Sequence, residues 1–188
     1  IGERLGEVLA KEAAQRPTVG EVRRRGKIAG KPADLRDVPG MLARPYARAS
    51  GTVVCQASGL PVLAETDLVI VGGGTTGGPA AVGAVRNGTR TLVIEALYKL
   101  GGVQTAGMIT GYYYGFQRGF TKEIDKGVKD LGWVRSQAKA EWYRRSTRQG
   151  GGKIWFGSMG VGAWLEGSKL QGVVVVLPDG QRGLVRAK

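Results

Sequence analysis

The residues of this chain best suited to chemistry lie in one glycine-rich turn and in the acid that follows it. They are Gly72-Gly73-Gly74-Thr75-Thr76-Gly77 and then Glu95, 23 residues after Gly72. The hexapeptide fits G-x-G-x-x-G, and where such a turn joins a buried strand to a helix each glycine has a separate task. Gly72 permits the tight turn, Gly74 lets the backbone approach a pyrophosphate, and Gly77 lets helix and strand pack closely. A side chain at Gly74 would collide with that ligand. The helix N-terminus that starts here turns unpaired N–H groups and the positive end of its dipole towards phosphate, so the loop needs no lysine. Glu95, at the carboxyl end of the next strand, can accept both hydroxyls of an adenosine ribose. The chemistry is capture of a dinucleotide through backbone donors and one carboxylate. The competing reading is a structural glycine turn beside an exposed acid.

The elements that must position these groups are legible on either side. Asp67-Leu68-Val69-Ile70-Val71 is a near-continuous β-branched apolar run, the pattern of a parallel strand buried on both faces. Pro79 to Asn87 reads as a small-residue helix closed by Gly88, and Thr91-Leu92-Val93-Ile94 as a second buried strand ending in Glu95. Together they make a βαβ unit of about 30 residues. Helices are expected over Glu123 to Gly132 and Val134 to Gln149, the second stopped by Gly150-Gly151-Gly152. Lys153 to Phe156 reads as a strand, followed by an antiparallel meander over Val161 to Leu165, Gly172 to Leu177 and Gly183 to Ala187. Its turns fall at Glu166-Gly167-Ser168 and Pro178-Asp179-Gly180.

Residues 1–65 read as an irregular arm. Leu5, Val8, Leu9 and Ala13 have helical spacing over Glu3 to Gln15, after which Pro17, Pro32, Pro39 and Pro45 break the pattern. A short strand over Thr52 to Gln56 and a turn at Gly59-Leu60-Pro61 close the arm. The expected fold class is α/β, a Rossmann-like βαβ domain with a parallel sheet and an antiparallel β-meander. The expected division is an arm over 1–65 and a partial dinucleotide-binding domain over 66–188.

Composition narrows the function classes. The chain has 188 residues, no histidine and a single cysteine, Cys55, so a Cys/His metal site and an internal disulfide are excluded within it. Cys55 reads as a small, half-buried apolar residue. Any general base among these residues is Glu, Asp, Lys or Tyr, and the base is expected to lie outside this segment. The net charge of +13 is spread: residues 1–66 hold 11 Lys and Arg against 7 Asp and Glu, and residues 67–188 hold 17 against 8. The tightest run, Arg23-Arg24-Arg25 with Lys27, lacks interleaved aromatics, so it reads as a solvated face and no nucleic-acid partner is expected. No apolar run reaches 18 residues, so no membrane span is expected and the cytoplasm is the default location. A start at Ile1 and an end at Lys188, in what reads as mid-sheet, suggest residues lost at both ends.

Six and seven residues after Glu95 come Gly101-Gly102. An acid followed by this paired glycine resembles the extended fingerprint of the two-dinucleotide-binding, glutathione-reductase-like flavoproteins, where the loop curls under the FAD pyrophosphate. Val103-Gln104-Thr105-Ala106-Gly107 is similar to the segment that there passes the ribityl chain. The stretch from Thr66 to Asp125 resembles the bacterial FAD-dependent oxidoreductases of broad substrate range. The tail from Trp155-Phe156-Gly157 through Leu170-Gln171-Gly172-Val173-Val174 is similar to that group's second FAD-binding section. The resemblance covers about two thirds of the chain. It implies FAD as cofactor, a backbone contact to adenine near Gly160 or Val161, a further closing turn and a substrate domain beyond Lys188. It also implies electron-pair transfer between FAD and a small organic substrate. The cofactor set is thus Gly72, Gly73, Gly74, Thr75, Thr76, Gly77, Glu95, Gly101, Gly102, Gln104, Thr105, Gly107 and Val161; oligomeric state and catalytic residues are unassigned. Tyr112-Tyr113-Tyr114 with Phe116 can line a flavin or substrate pocket or simply pack, and Arg118 and Lys122 can hold a carboxylate or remain solvated. Two alternatives stay open: an NAD(P)-binding Rossmann oxidoreductase, and a non-catalytic basic interaction module or truncated homologue.

Overall fold

The strand that carries Glu95 is fully buried from Thr91 to Glu95, and the rest of the architecture follows from what covers its two faces. The computed structural model of the chain describes residues 2–15, 59–112 and 114–188. In chain order these form α1 (Gly2–Gln15), β1 (Val62–Thr66), β2 (Leu68–Val71), α2 (Gly77–Arg86), β3 (Thr91–Glu95), α3 (Phe120–Leu131), α4 (Arg135–Gln149), β4 (Lys153–Phe156), β5 (Met159–Glu166), β6 (Lys169–Val176) and β7 (Arg182–Ala187). A single 3-10 turn covers Gly102–Gln104.

Two sheets share the work. β2, β3 and β4 form a three-stranded parallel sheet in that order, while β5, β6 and β7 form the antiparallel meander, with β1 added in parallel beside β7. Alternation along β3 decides the layering, because successive side chains leave a strand on opposite faces. Val93 joins Ala81, Val82, Leu100, Ile124, Val128 and Tyr143 in a core shared with α2, α3 and α4. Leu92 and Ile94 face the other way, onto Val175 and Val185 of the meander. The chain is an α/β fold of helices, parallel sheet and meander stacked in three layers, with the loops after β2 and β3 at one end.

β2 departs from the expectation of full burial. Ile70 packs on the helical side and Val69 on the meander side, so both faces are covered, yet its residues are half-buried and Val71 is 53% exposed. The cause is position: among the described residues β2 lies at the edge of its sheet.

α1 forms over nearly the expected span, but the face it buries is rotated from the expected stripe, of which Ala13 is buried and Leu9 half-buried. Leu5 and Val8 are exposed, and Gly2, Gly6, Ala10 and Ala13 are buried. The partner explains this, since α2 meets it with Pro79, Ala80 and Gly83, and two such small-residue faces can approach backbone to backbone. A Cβ placed on Gly6 would sit 2.2 Å from the Ala80 carbonyl oxygen, and one on Gly83 would sit 2.7 Å from that of Glu3. Large apolar residues would hold the helices apart. α1 and β1 come from the stretch read as an arm, and both belong to the same compact unit as residues 60–188. The strand expected over Thr52 to Gln56, with Cys55, and the basic run at Arg23 to Lys27 lie outside the described residues. β1 had no expected counterpart.

Candidate functional site

The turn between β2 and α2 is held by the three glycines in three different ways. Gly72 has φ +88°, a left-handed conformation that side chains resist, and its N–H donates to Ile94 O at 2.7 Å. At Gly77 the reason is space: a Cβ would lie 1.8 Å from Gly72 O. At Gly74 a Cβ would meet nothing within 4 Å. Packing within the chain therefore does not require glycine at Gly74. No side chain caps the first turn of α2; Gly78 N–H donates to Gly74 O at 2.9 Å, Ala80 N–H to Thr76 O at 3.0 Å, and Pro79 has no N–H, so the donors a ligand could use are those of the turn up to Gly77. Thr75 and Thr76 are exposed at that end.

Glu95 is 7% exposed, yet both carboxylate oxygens are placed by backbone donors. Gly73 N–H donates to Oε2 at 2.6 Å and Leu97 N–H to Oε1 at 2.7 Å. The acid thus clamps the glycine turn to the loop after β3, a second role that spacing alone did not suggest. Each carboxylate oxygen can accept a further hydrogen bond, as a ribose diol would require. Gly73 is also confined, since a Cβ there would lie 2.3 Å from Leu100 Cδ2.

Gly101 and Gly102 come back under this turn. Gly101 N–H donates to Gly73 O at 2.8 Å, and a Cβ on Gly102 would lie 3.0 Å from Thr75 N and 3.1 Å from Gly74 Cα. Any side chain at Gly102 would fill the cradle between the two glycine segments. Within the following segment the residues separate. Gly107 N–H donates to Gly102 O at 3.1 Å and closes the loop. Thr105 is fully buried, with its hydroxyl donating to Leu100 O at 2.6 Å, so its side chain holds the loop and offers nothing to a ligand. Gln104 is half-buried and turns its side-chain oxygen to Lys139.

The meander completes the rim. Ser158 N–H donates to Glu95 O at 3.1 Å, and a Cβ on Gly160 would lie 2.6 Å from Val71 Cγ1, which brings the start of β5 beside the ends of β2 and β3. A register shift between Gly160 and Gly162 leaves Val161 without a position in the β5–β6 ladder. Its backbone is thus released beside the site.

Next to Thr75 and Thr76 opens a cavity of about 690 Å³, whose wall includes Gln104, Tyr112, Arg118 and Lys139. Phe116 lines it as well and is otherwise 91% exposed, Tyr114 lies outside it at 88% exposed, and Tyr113 is outside the described residues. Lys122 is exposed away from the cavity. Lys139 is the functional candidate that the motif search missed. It is 3% exposed on α4, donates to Tyr112 Oη at 2.9 Å and to the Gln104 side-chain oxygen, and lies 4.8 Å from the Tyr112 ring centroid. Burial pulls its ammonium down to about 8; Asp125 raises it in part and Arg135 lowers it further. The available signal was a lone cation on the stripe Ser136, Lys139, Tyr143, Thr147, whose other members are buried.

These residues fit FAD on structural grounds: a loop that excludes side chains at Gly102, an open Cβ direction at Gly74, a helix start with no side-chain cap and an acid with spare acceptor capacity. Among the described residues no cluster of Cys, Asp and Glu could hold a metal ion, and no helix is long and apolar enough to cross a membrane.

Residues 67–188 match the sequence profile of a family described as FAD dependent oxidoreductase. No curated protein sequence matches the chain. Among solved structures it is similar to a geranylgeranyl bacteriochlorophyll reductase-like protein from Thermoplasma acidophilum, at 20% identity and TM-score 0.47 over 66% of this chain and 38% of that one. It is also similar to THI4 from Thermovibrio ammonificans, at 19% identity and TM-score 0.48 over 66% and 55%. A third similar structure is the myxobacterial chondrochloren halogenase CndH, a variant of FAD-dependent halogenases, at 16% identity and TM-score 0.44 over 66% and 36%. The chain spans between about a third and just over a half of these three structures.

Proposed function

The chain belongs to the FAD dependent oxidoreductase family, and from that premise we propose that residues 66–188 are its FAD-binding portion, which presents the cofactor to a small organic substrate. The observation that carries the reading is the hydrogen bond from Gly101 N–H to Gly73 O. It sets the second glycine pair beneath the first and leaves a cradle that a Cβ at Gly102 would fill. An NAD-binding turn has no need of that second layer.

Within this reading the N–H groups around Gly74, Thr75, Thr76 and Gly77 hold the pyrophosphate, Gly73 shapes the turn with its own N–H on Glu95, and Glu95 accepts the ribose hydroxyls. Gly101, Gly102 and Gly107 shape the loop beneath, Gln104 lies along the ribityl side, and the backbone of Val161 meets adenine. Thr105 acts by fixing the loop. When bound, FAD supplies the acceptor or donor of an electron pair. The protein's part is to orient it, to exclude water and to place charge. We further assign the chain to the two-dinucleotide-binding, glutathione-reductase-like flavoproteins of bacterial type, on the order strand, G-x-G-x-x-G, helix, strand, acid and paired glycine.

The test is a titration of the purified chain with FAD, followed by flavin absorbance and by quenching of flavin fluorescence. Saturable binding with shifted bands that bleach on reduction supports the reading. Binding of NAD with no affinity for FAD overturns it.

A further inference from the structure

The cavity beside Thr75 and Gln104 carries a feature that capture of a cofactor does not require. One of its walls is a buried lysine held in place by neutral groups. Lys139 donates to Tyr112 Oη at 2.9 Å and to the Gln104 side-chain oxygen, and neither partner carries a charge. An ammonium has three N–H donors, so one is left after these two. A cation kept 97% buried is costly unless a counter-charge arrives. Among the described residues the acids do not supply one at contact distance: Asp125 is paired with Arg135 at 2.6 Å and acts on Lys139 only from further away.

The rest of the cavity indicates what the counter-charge is attached to. Arg4 and Arg118 add positive charge to the lining, against the single carboxylate of Glu3. Tyr112, Phe116, Phe120 and Tyr143 supply aromatic wall, and the volume of about 690 Å³ lies in the range of small-molecule sites. Inorganic phosphate would leave those ring faces unused.

We propose that Lys139, with Tyr112 and Gln104, forms a subsite for an organic carboxylate whose apolar or aromatic body packs on the ring wall beside the cofactor. The carboxylate accepts the remaining Lys139 N–H and a hydrogen bond from the Tyr112 hydroxyl, in a pocket where such charge-assisted bonds are strong. Its position beside the flavin rests on the FAD reading above. The subsite itself is built from this chain's own side chains and can be tested without cofactor.

Trp142 is a built-in reporter, since its ring lies 5.8 Å from that of Phe120 and 5.4 Å from that of Tyr143, both cavity walls. Benzoate is the probe, with benzamide as its neutral counterpart, titrated into the cofactor-free chain while tryptophan emission is followed. FAD affinity is measured separately. The expected result is saturable benzoate binding, at least about tenfold weaker binding of benzamide, and a loss of about tenfold or more in Lys139→Met and Lys139→Gln, with FAD affinity within about threefold of the parent. Lys139→Arg, which keeps the charge, should retain part of the benzoate affinity. Absence of benzoate binding, equal binding of benzamide, or unchanged binding in Lys139→Met overturns the subsite. A matching tenfold loss of FAD in Lys139→Met also overturns it, because the lysine would then serve the cofactor's phosphates. If no lysine variant folds, the comparison of benzoate with benzamide on the parent chain still decides. A chain that binds benzoate but no FAD would instead refute the cofactor reading alone.

Discussion

Gly74 and Gly77 lie three residues apart in one turn, and the structure assigns them opposite sensitivities. A Cβ on Gly77 would lie 1.8 Å from Gly72 O and 2.9 Å from its carbonyl carbon. An ordinary contact needs more than about 3 Å, so Gly77→Ala forces the turn to move by over about 1 Å. That movement strains the Gly72 N–H to Ile94 O bond and the Gly78 N–H to Gly74 O bond, at 2.7 and 2.9 Å. The expected loss is about 3 kcal/mol, the upper part of the overpacking range and a large share of a domain's stability. At Gly74 a Cβ meets nothing within 4 Å, and φ is not in the left-handed region, so Gly74→Val should change folding by less than about 1 kcal/mol. Its methyl groups would instead occupy the space of the phosphates. FAD affinity should fall by at least about a hundredfold, or about 2.7 kcal/mol. Urea unfolding reads the first quantity and quenching of flavin fluorescence the second. A folded Gly74→Val that binds FAD as the parent does would refute the phosphate-loop assignment. A Gly77→Ala chain of parental stability would refute the packing argument.

Glu95→Gln should act on both quantities. FAD binding should weaken by about 1–3 kcal/mol, and stability should fall because a side-chain amide has one acceptor oxygen and its NH2 cannot accept, so Gly73 N–H and Leu97 N–H cannot both be satisfied; unchanged urea midpoints would show that the clamp is idle. The alkaline limb of stability should carry the signature of Lys139. Its folded value of about 8 lies below the unfolded 10.5, so the unfolded chain binds more protons between them and stability rises with pH there. From pH 8 to about 9.5, below the ordinary tyrosine range, the gain should be about 1.5 kcal/mol and vanish in Lys139→Met; equal slopes in the two chains would refute it. On the acid side, Asp67 is held well below the usual carboxylate range, first by its hydrogen bonds from Arg90 and also by Lys188. Its contribution is therefore present at neutral pH and lost as pH falls through that lowered value, so Asp67→Asn should flatten the acid limb of urea unfolding. Thr147 buries a hydroxyl that has no hydrogen-bond partner, so Thr147→Val should be neutral or stabilising by up to about 1 kcal/mol; clear destabilisation in thermal unfolding would point to an overlooked partner.

What was legible in the sequence was whatever depends on local geometry. The turn at Gly72 to Gly77, the spacing to Glu95 and the pair Gly101-Gly102 each reflect a constraint that acts over a few residues, and strands β3 to β7 follow turn chemistry of the same range. The exposure of β2 was not legible, because a run such as Leu68-Val69-Ile70-Val71 reads the same at the edge of a sheet as in its middle; the number of neighbours is a property of topology. The face of α1 misled for a related reason. Periodicity weights Leu5 and Val8 above Gly6 and Ala10, yet a partner as small-sided as α2 rewards close backbone approach over side-chain bulk. Thr105 shows the same limit in the site. Its residue type suits a ligand contact, and only the fold reveals that Leu100 O already takes its hydroxyl.

Lys139 is the opposite error, since nothing about an isolated lysine in a charged helix asks for attention. α4 carries Arg135, Arg144, Arg145 and Arg148 as well, and the sequence does not rank these cations. What distinguishes Lys139 is phase. It lies four residues before Tyr143 and three after Ser136, on the face that turns inward, whereas Arg144 and Arg145 lie on exposed positions and share Glu141. A helical residue on a buried stripe must be apolar or must have a reason to be charged. Here Gln104 reaches it from the loop after β3, across 35 residues of sequence, and Tyr112 from the segment before α3. No local pattern encodes that convergence. In a chain without histidine the most perturbed functional amine is therefore found by asking which charge the fold has buried, and then which charge it is waiting for.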